Sequence, residues 1–406
     1  MIPQTCCQLV ALLFGTALLL VSSTAADQTY ECAIEKREDE SVCMFRNVVY
    51  TTSMTGITFK APNAKVQHVA FEDSTLDRIP AELLNAFPNL RSLSVPNANL
   101  SSVVIPAKLE RLYASDNQIS QVIVHQTRDT TTMLELILDS NRLHDISNLT
   151  RLAKLEILSL SGNRELPIDD TIELGRFKGM DGLRHLLLSD VGAHHLENEQ
   201  EVSLPALELL DLSSNNLPPS YLSVKVFAPF KSLQILRLAY NQLRELDVLQ
   251  LTKNNPQLKQ IYLEGNEFPC KLLTLMLKHF KKEGIETPVA NPNVRCLLGF
   301  DKEQGLCCMA DSMTQRYAGP VTPRTPPVSL ATSESPAENT AVRTGAGSAE
   351  LGTSTVSTTT MAAPTAGGPP AKTDDGHSMA SMAPLGNSWL LAGLAAVVLT
   401  LMKLNY

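Results

Sequence analysis

Leu207-Glu208-Leu209-Leu210-Asp211-Leu212-Ser213-Ser214-Asn215-Asn216-Leu217 is the stretch whose reading decides the fold. Leucines stand at its first, fourth, sixth and eleventh positions and an asparagine at its ninth. The same frame returns at Leu233, Leu236, Leu238, Asn241 and Leu243, and at Leu258, Ile261, Leu263, Asn266 and Phe268. Upstream it is clear at Leu109, Leu112, Ala114, Asn117 and Ile119, at Met133, Leu136, Leu138, Asn141 and Leu143, and at Leu155, Leu158, Leu160 and Asn163. Weaker copies put Ser74, Ala98 and Val191 in the asparagine slot. That slot runs from 74 to 266 in eight steps, a mean period of 24 residues, which lies within the leucine-rich repeat range.

The spacing has a physical reason. Side chains alternate across a strand, so the alternate leucines face a core and the residues between them face outward. The chain must then turn inside the core, where bare backbone groups are costly. A buried asparagine side chain bonds those groups, so a ladder of asparagines is expected. The expected fold is an α/β leucine-rich repeat solenoid, a horseshoe with a parallel concave β-sheet and cysteine-containing caps. Turns at Ser74, Ala98 and Val191 are expected to be looser, water-filled or differently shaped. The step of 28 residues from Asn163 to Val191 predicts a helix or bulge on the convex side.

Outward from the repeats the chain divides further. Residues 1–26 read as a signal peptide, with an apolar core from Leu9 to Val21 and small residues Ser22 to Ala26 for cleavage. Residues 27–65 form an N-terminal cap, 66–269 the nine repeats, and 270–310 a C-terminal cysteine cap. Lys271 to Glu283 reads as an amphipathic helix, with Leu272, Leu273, Met276, Leu277 and Phe280 on one face and Lys278, Lys281 and Lys282 opposite. From 311 to 388 Ser, Thr, Pro, Ala and Gly dominate, as in a disordered, O-glycosylated stalk. Residues 389–406 are a hydrophobic tail. Its apolar run, Trp389 to Met402, suits a GPI signal with attachment at Asp374, Gly376 or Ser378; a single spanning helix is the alternative.

Secretion places the remaining cysteines, Cys32, Cys43, Cys270, Cys296, Cys307 and Cys308, in an oxidising compartment, where disulfides are expected. Adjacent cysteines rarely bond to each other. If Cys32 pairs with Cys43, either Cys270 and Cys296 each take one of the double pair, or a thiol is left at the base of the stalk to link two chains. The sequons at Asn99 and Asn148 are open to N-glycosylation.

The chemistry expected is binding, not catalysis. A formal charge of -8 disfavours nucleic acid as a partner. His194-His195-Leu196-Glu197 lacks the spacing that puts two imidazoles and a glutamate on one helical face, and no nucleophile elbow, phosphate loop or dinucleotide fingerprint occurs. No enzyme activity, cofactor or metal is expected. The outward strand positions supply a mixed concave face with an acidic edge. Its expected anchors are Tyr113, Ile137, Leu187, Arg237, Tyr240 and Tyr262, because aromatics, apolar residues and arginine carry interface energy.

The cap that runs Pro269-Cys270, Cys296, then Leu306-Cys307-Cys308 resembles that of the leucine-rich repeat immune family of mosquitoes. Cys32 and Cys43 followed by Phe45-Arg46-Asn47-Val48-Val49 are similar to that family as well. The resemblance covers residues 27–310. No heptads follow Cys308, which points to the coil-less or membrane-anchored members. It implies innate immune recognition or adaptor work at the extracellular face of the plasma membrane, with an immune effector or surface receptor as protein partner. A cell-adhesion or developmental-guidance ectodomain is the alternative.

Overall fold

The computed structural model describes residues 28–310, except 38–39, 167 and 219–221, together with residue 312. The segments expected to be a signal peptide, a stalk and a hydrophobic tail, with the expected attachment residues Asp374, Gly376 and Ser378, lie outside the described residues.

Each repeat places a short strand where the leucine frame predicts one. The strands are His68–Glu72, Ser92–Ser94, Arg111–Tyr113, Glu135–Ile137, Ile157–Ser159, His185–Leu187, Leu209–Asp211, Ile235–Arg237 and Gln260–Tyr262. They lie parallel in one sheet of 11 strands, which Glu40–Arg46 and Ala33–Arg37 complete at the N-terminal end. The register keeps the core residues in line: Leu112 beside Leu136, Leu158 beside Leu186, Leu210 beside Leu236. These leucines are fully buried, with the remaining frame residues packed around them.

The asparagine ladder holds the turns. The Asn215 amide donates to the carbonyls of Leu188 at 2.9 Å and Leu212 at 3.0 Å, and its oxygen accepts from the N–H groups of Val191 and Ala193, both at 3.2 Å. One side chain thus serves its own turn and the turn before it. Asn117, Asn141, Asn163, Asn241 and Asn266 repeat the pattern. The three exceptions are differently shaped. At Ala98 the backbone carbonyl replaces the missing side chain and accepts from Leu76 N–H at 2.7 Å. At Ser74 the hydroxyl accepts from Val48 N–H at 3.0 Å. Before Val191 the chain folds on itself after Asn163, with Leu166 N–H donating to Asn163 O at 3.3 Å. A small cleft of about 10 Å³ beside Val191 is lined mainly by apolar side chains, among them Ile146, Leu166 and Ile172. The long step carries a convex strand, Thr171–Glu173, and a 3-10 helix, Leu174–Phe177.

Both ends are closed. At the N-terminal end Cys32 is bonded to Cys43. Phe45 stacks on Phe71 at 5.2 Å and meets Phe59 edge-on at 5.4 Å, so aromatic rings fill the first repeat's open face. At the C-terminal end the helix Cys270–Lys282 buries Leu273, Met276, Leu277 and Phe280. Leu272 is partly buried against the core. Cys270 is bonded to Cys308 and Cys296 to Cys307, so each member of the double cysteine is used within the chain. The alternative reading, a thiol left to link two chains, does not hold in this structure: the six cysteines among the described residues lie in three internal bridges. The last strand's edge is covered as well, by a bond from Ile261 N–H to Glu286 O at 3.0 Å.

Candidate functional site

The outward strand positions form two columns across the concave sheet. Parallel strands lie about 4.8 Å apart, so side chains in one column stack on their neighbours and shield one another. In the middle of the sheet the shielding is nearly complete. Ile157, Leu209 and Ser159 are buried there, and so is Leu187, at 6% exposure between Ser159 and Asp211. Leu187 was expected to be an anchor; its packing among column neighbours removes it from the accessible face. Tyr113 and Ile137 remain half-buried. The Tyr113 hydroxyl donates to the Glu135 carboxylate, and burial, with Glu135 beside it, pushes the phenol well above its ordinary range.

The N-terminal end of the face is saturated by its own charges. Glu40 accepts from Arg111 at 2.9 Å and lies 3.3 Å from His68. Glu72 receives both Arg37 and Arg46, and the Arg37 hydrogen bond leads in holding its carboxyl below the usual range. Burial pushes the His68 imidazole down.

The C-terminal end differs. The Arg237 guanidinium lies 3.3 Å from Asp211 and 5.1 Å from the centre of the Tyr262 ring. A carboxylate, a cation and an aromatic face therefore stack in one column. The Tyr262 hydroxyl donates to Gln260 at 3.3 Å. Beside this stack Tyr240 is 58% exposed.

Tyr240, expected as an anchor, stands in a third column whose other members are mostly acidic or small. The residue before each asparagine slot is left-handed: Asp73, Asn97, Asp116, Ser140, Asp190 and Ser214 have φ between 47° and 57°, Gly162 72° and Gly265 68°. Asp, Asn, Ser and Gly suit that conformation because short polar side chains or none tolerate it. The acidic edge thus has a backbone reason. Tyr240 stands in the same column at φ 55° and is the one bulky residue there. A bulky residue in this region is strained. Its ring lies against Gly265, where an added Cβ would come 2.3 Å from Tyr240 Cδ1. The column's composition could have revealed both facts: eight small or turn-forming residues and one tyrosine.

One column further, Asp139 accepts from the Ser159 hydroxyl and from Ser161 N–H at 3.1 Å. Burial raises its carboxyl to about 6. Asp190 is paired with Arg164 at 2.7 Å.

The sequons lie off the concave strands. Asn99 is exposed and its amide oxygen accepts from Gln118. Asn148 is partly buried in the 3-10 helix Ser147–Arg151. His194 Nδ1 lies 3.7 Å from Asp170. His195 and Glu197 share a convex strand. Among the described residues no three metal-ligating side chains come together, and no helix is long and apolar enough to cross a membrane.

No family model matches the chain. Among known proteins it is similar to Tsukushi of Gallus gallus, 31% identical over 203 residues, covering 48% of this chain and 52% of that protein. It is similar to lumican of Homo sapiens, 26% identical over 255 residues, covering 45% of this chain and 74% of that protein. The match therefore spans about half the length of Tsukushi. Among solved structures it is similar to the leucine-rich repeat domain of APL1B, with a TM-score of 0.41, 20% identity, and coverage of 65% of this chain and 86% of that one. The LRIM1/APL1C complex gives a TM-score of 0.34 and 18% identity, covering 72% of this chain and 74% of that one.

Proposed function

We propose that this leucine-rich repeat protein is a non-enzymatic recognition protein of innate immunity, held at the cell surface, whose concave sheet binds a second extracellular protein. The observation that carries the reading is the contrast along the sheet. The N-terminal end is filled by ion pairs among Arg37, Arg46, Arg111, Glu40 and Glu72, while the C-terminal end carries the pair of Arg237 with Asp211 and adds the Tyr262 ring and an exposed Tyr240. Arginine and tyrosine are the residues that dominate binding energy at interfaces. Ile137 and Tyr113 extend the surface toward the N-terminus. Three disulfides suit an extracellular chain. Glycans on Asn99 and Asn148 would leave this face open. The immune role rests on the likeness of the double-cysteine cap to the mosquito family.

Proximity labelling with the full-length protein on the cell surface tests the reading. An immune effector or receptor is expected among the labelled proteins, and it is lost in an R237A–Y262A variant. Labelling unchanged by that variant overturns the concave-face reading, and capture of an adhesion or guidance receptor overturns the immune role.

The tail 389–406 acts in this reading as a GPI signal, with attachment at Asp374, Gly376 or Ser378. Phosphatidylinositol-specific phospholipase C is expected to release the protein from cells. Retention in the membrane fraction points to a spanning helix.

A further inference from the structure

Tyr240 is unexplained by the fold. The turn asks for a residue that tolerates left-handed backbone, and eight of the nine positions in its column are Asp, Asn, Ser or Gly. The core asks for nothing there, since the side chain is 58% exposed. Tyr240 nevertheless takes φ 55°, and Gly265 leaves the space in which its ring lies. Strain of this kind persists only where the surroundings enforce it, and it gathers at sites of binding.

The neighbouring column shows what such a ring can do. There Asp211, the Arg237 guanidinium and the Tyr262 ring stack as carboxylate, cation and aromatic face. Tyr240 has its own carboxylate neighbour, Glu264, which accepts a bond from Ala290 N–H at 2.5 Å. Tyr240 N–H donates to the Glu264 backbone carbonyl at 2.6 Å, so the two residues are neighbours in adjacent turns. Burial and then the Glu264 charge raise the Tyr240 phenol above its ordinary value. A carboxylate beside an exposed ring face attracts a positive group. The chain's formal charge of -8 favours a basic partner in the same direction.

We propose that Tyr240 and Glu264 form a receptor for a cationic side chain, a lysine ammonium or an arginine guanidinium, carried by the protein that docks on the concave face. The inference rests on the concave-face reading and specifies its partner's chemistry. The incoming cation lies over the Tyr240 ring and completes, between chains, the stack that Asp211, Arg237 and Tyr262 make within one.

The test uses the full-length protein in detergent and a labelled decapeptide of alternating lysine and glycine, with a glutamate–glycine decapeptide as its counterpart. The lysine peptide is expected to bind and the glutamate peptide not. Y240F, which keeps the ring face, stays within about threefold of the unaltered protein, whereas Y240L weakens binding about tenfold. E264Q weakens it about threefold and flattens its salt dependence. If Y240L lowers the melting temperature, Y240G replaces it, since glycine accepts this φ without strain. No binding of the lysine peptide, equal binding of both peptides, or affinity unchanged by Y240L or Y240G overturns the proposal. If R237A–Y262A still abolishes surface labelling while the lysine peptide fails to bind, the concave-face reading stands and the cation receptor falls.

Discussion

Two columns of residues run side by side along the turns of this solenoid, one position apart in sequence. The inner column is the asparagine ladder, buried and bonded to backbone on both sides. The outer column is left-handed in every repeat and borders the concave face. The inner column answers to the backbone alone. Where its side chain is absent, as at Ala98, a backbone carbonyl takes over the bond. The outer column answers first to φ, which explains its Asp, Asn, Ser and Gly. What remains after φ is satisfied is available for a partner, and only Tyr240 departs from what φ favours. Adjacent residues in one turn therefore serve stability and recognition separately.

The sharpest way to break this comparison is to exchange the roles. Asn215→Val leaves Leu188 O and the N–H groups of Val191 and Ala193 without their partner, while Leu212 O keeps Asn241 at 3.1 Å. Buried orphans cost about 1–3 kcal/mol each, and water entering the turn relieves part of it, so a loss of roughly 3 kcal/mol is expected. For a domain of this size that lowers Tm by about 6–12 °C. The neighbouring Ser214→Gly, at φ 57°, is expected to shift stability by less than about 1 kcal/mol. Equal losses at both positions would remove the distinction between the columns.

The inner column was legible in the sequence because its rule is periodic. A 24-residue frame places the nine repeat strands of the concave sheet, and the leucine alternation assigns their residues to core or face. What alternation does not supply is exposure. Leu187 points outward as predicted, yet shielding by Ser159 and Asp211 buries it, a consequence of strand spacing that no single repeat encodes. The disulfide pairing required three-dimensional proximity, since two pairings satisfied the same count of cysteines. The aromatic packing of Phe45, Phe59 and Phe71 joins residues from separate strands and has no local signature. The outer column was legible in principle. Its composition signals left-handed backbone, but the frame directs attention to leucine and asparagine, so Tyr240 is named as an anchor for its ring while its unusual backbone goes unread.

A smaller effect sharpens the outer column itself. Gly265→Ala puts a Cβ where the Tyr240 ring lies and asks alanine to hold φ 68°. The left-handed backbone and the displaced ring together cost about 1–2 kcal/mol. The same change made in a Tyr240→Ala background meets no ring and keeps only the backbone cost. A double-mutant cycle is expected to give a coupling above about 0.5 kcal/mol. Strict additivity would mean that Gly265 is there for φ alone and that Tyr240 owes it nothing.

The smallest effect depends on pH and concerns Asp139, two positions before Asn141 on the same edge. Burial raises its carboxyl to about 6, with Asp116 and Asp211 pushing the same way, while the Ser159 hydroxyl and Ser161 N–H draw it down. The group is an acid whose folded value lies above its unfolded one. Its protonated form is therefore favoured by folding, and its contribution is full below about pH 4 and lost as pH rises through about 6. Asp139→Asn keeps an oxygen for both donors and removes the charge. The variant is expected to match the unaltered protein at pH 4 and to exceed it at pH 7 by about 1 kcal/mol, discounted because the group is only partly buried. Glu72, held low by Arg37, contributes with the opposite sign, its stabilisation lost as pH falls below the ordinary glutamate range. The measurement is for that reason the difference between the two proteins in denaturant midpoint at pH 4, 5, 6 and 7. A difference that stays constant across those values would show that Asp139 carries no strained charge, and that this edge, like the left-handed column beside it, is acidic for reasons of backbone alone.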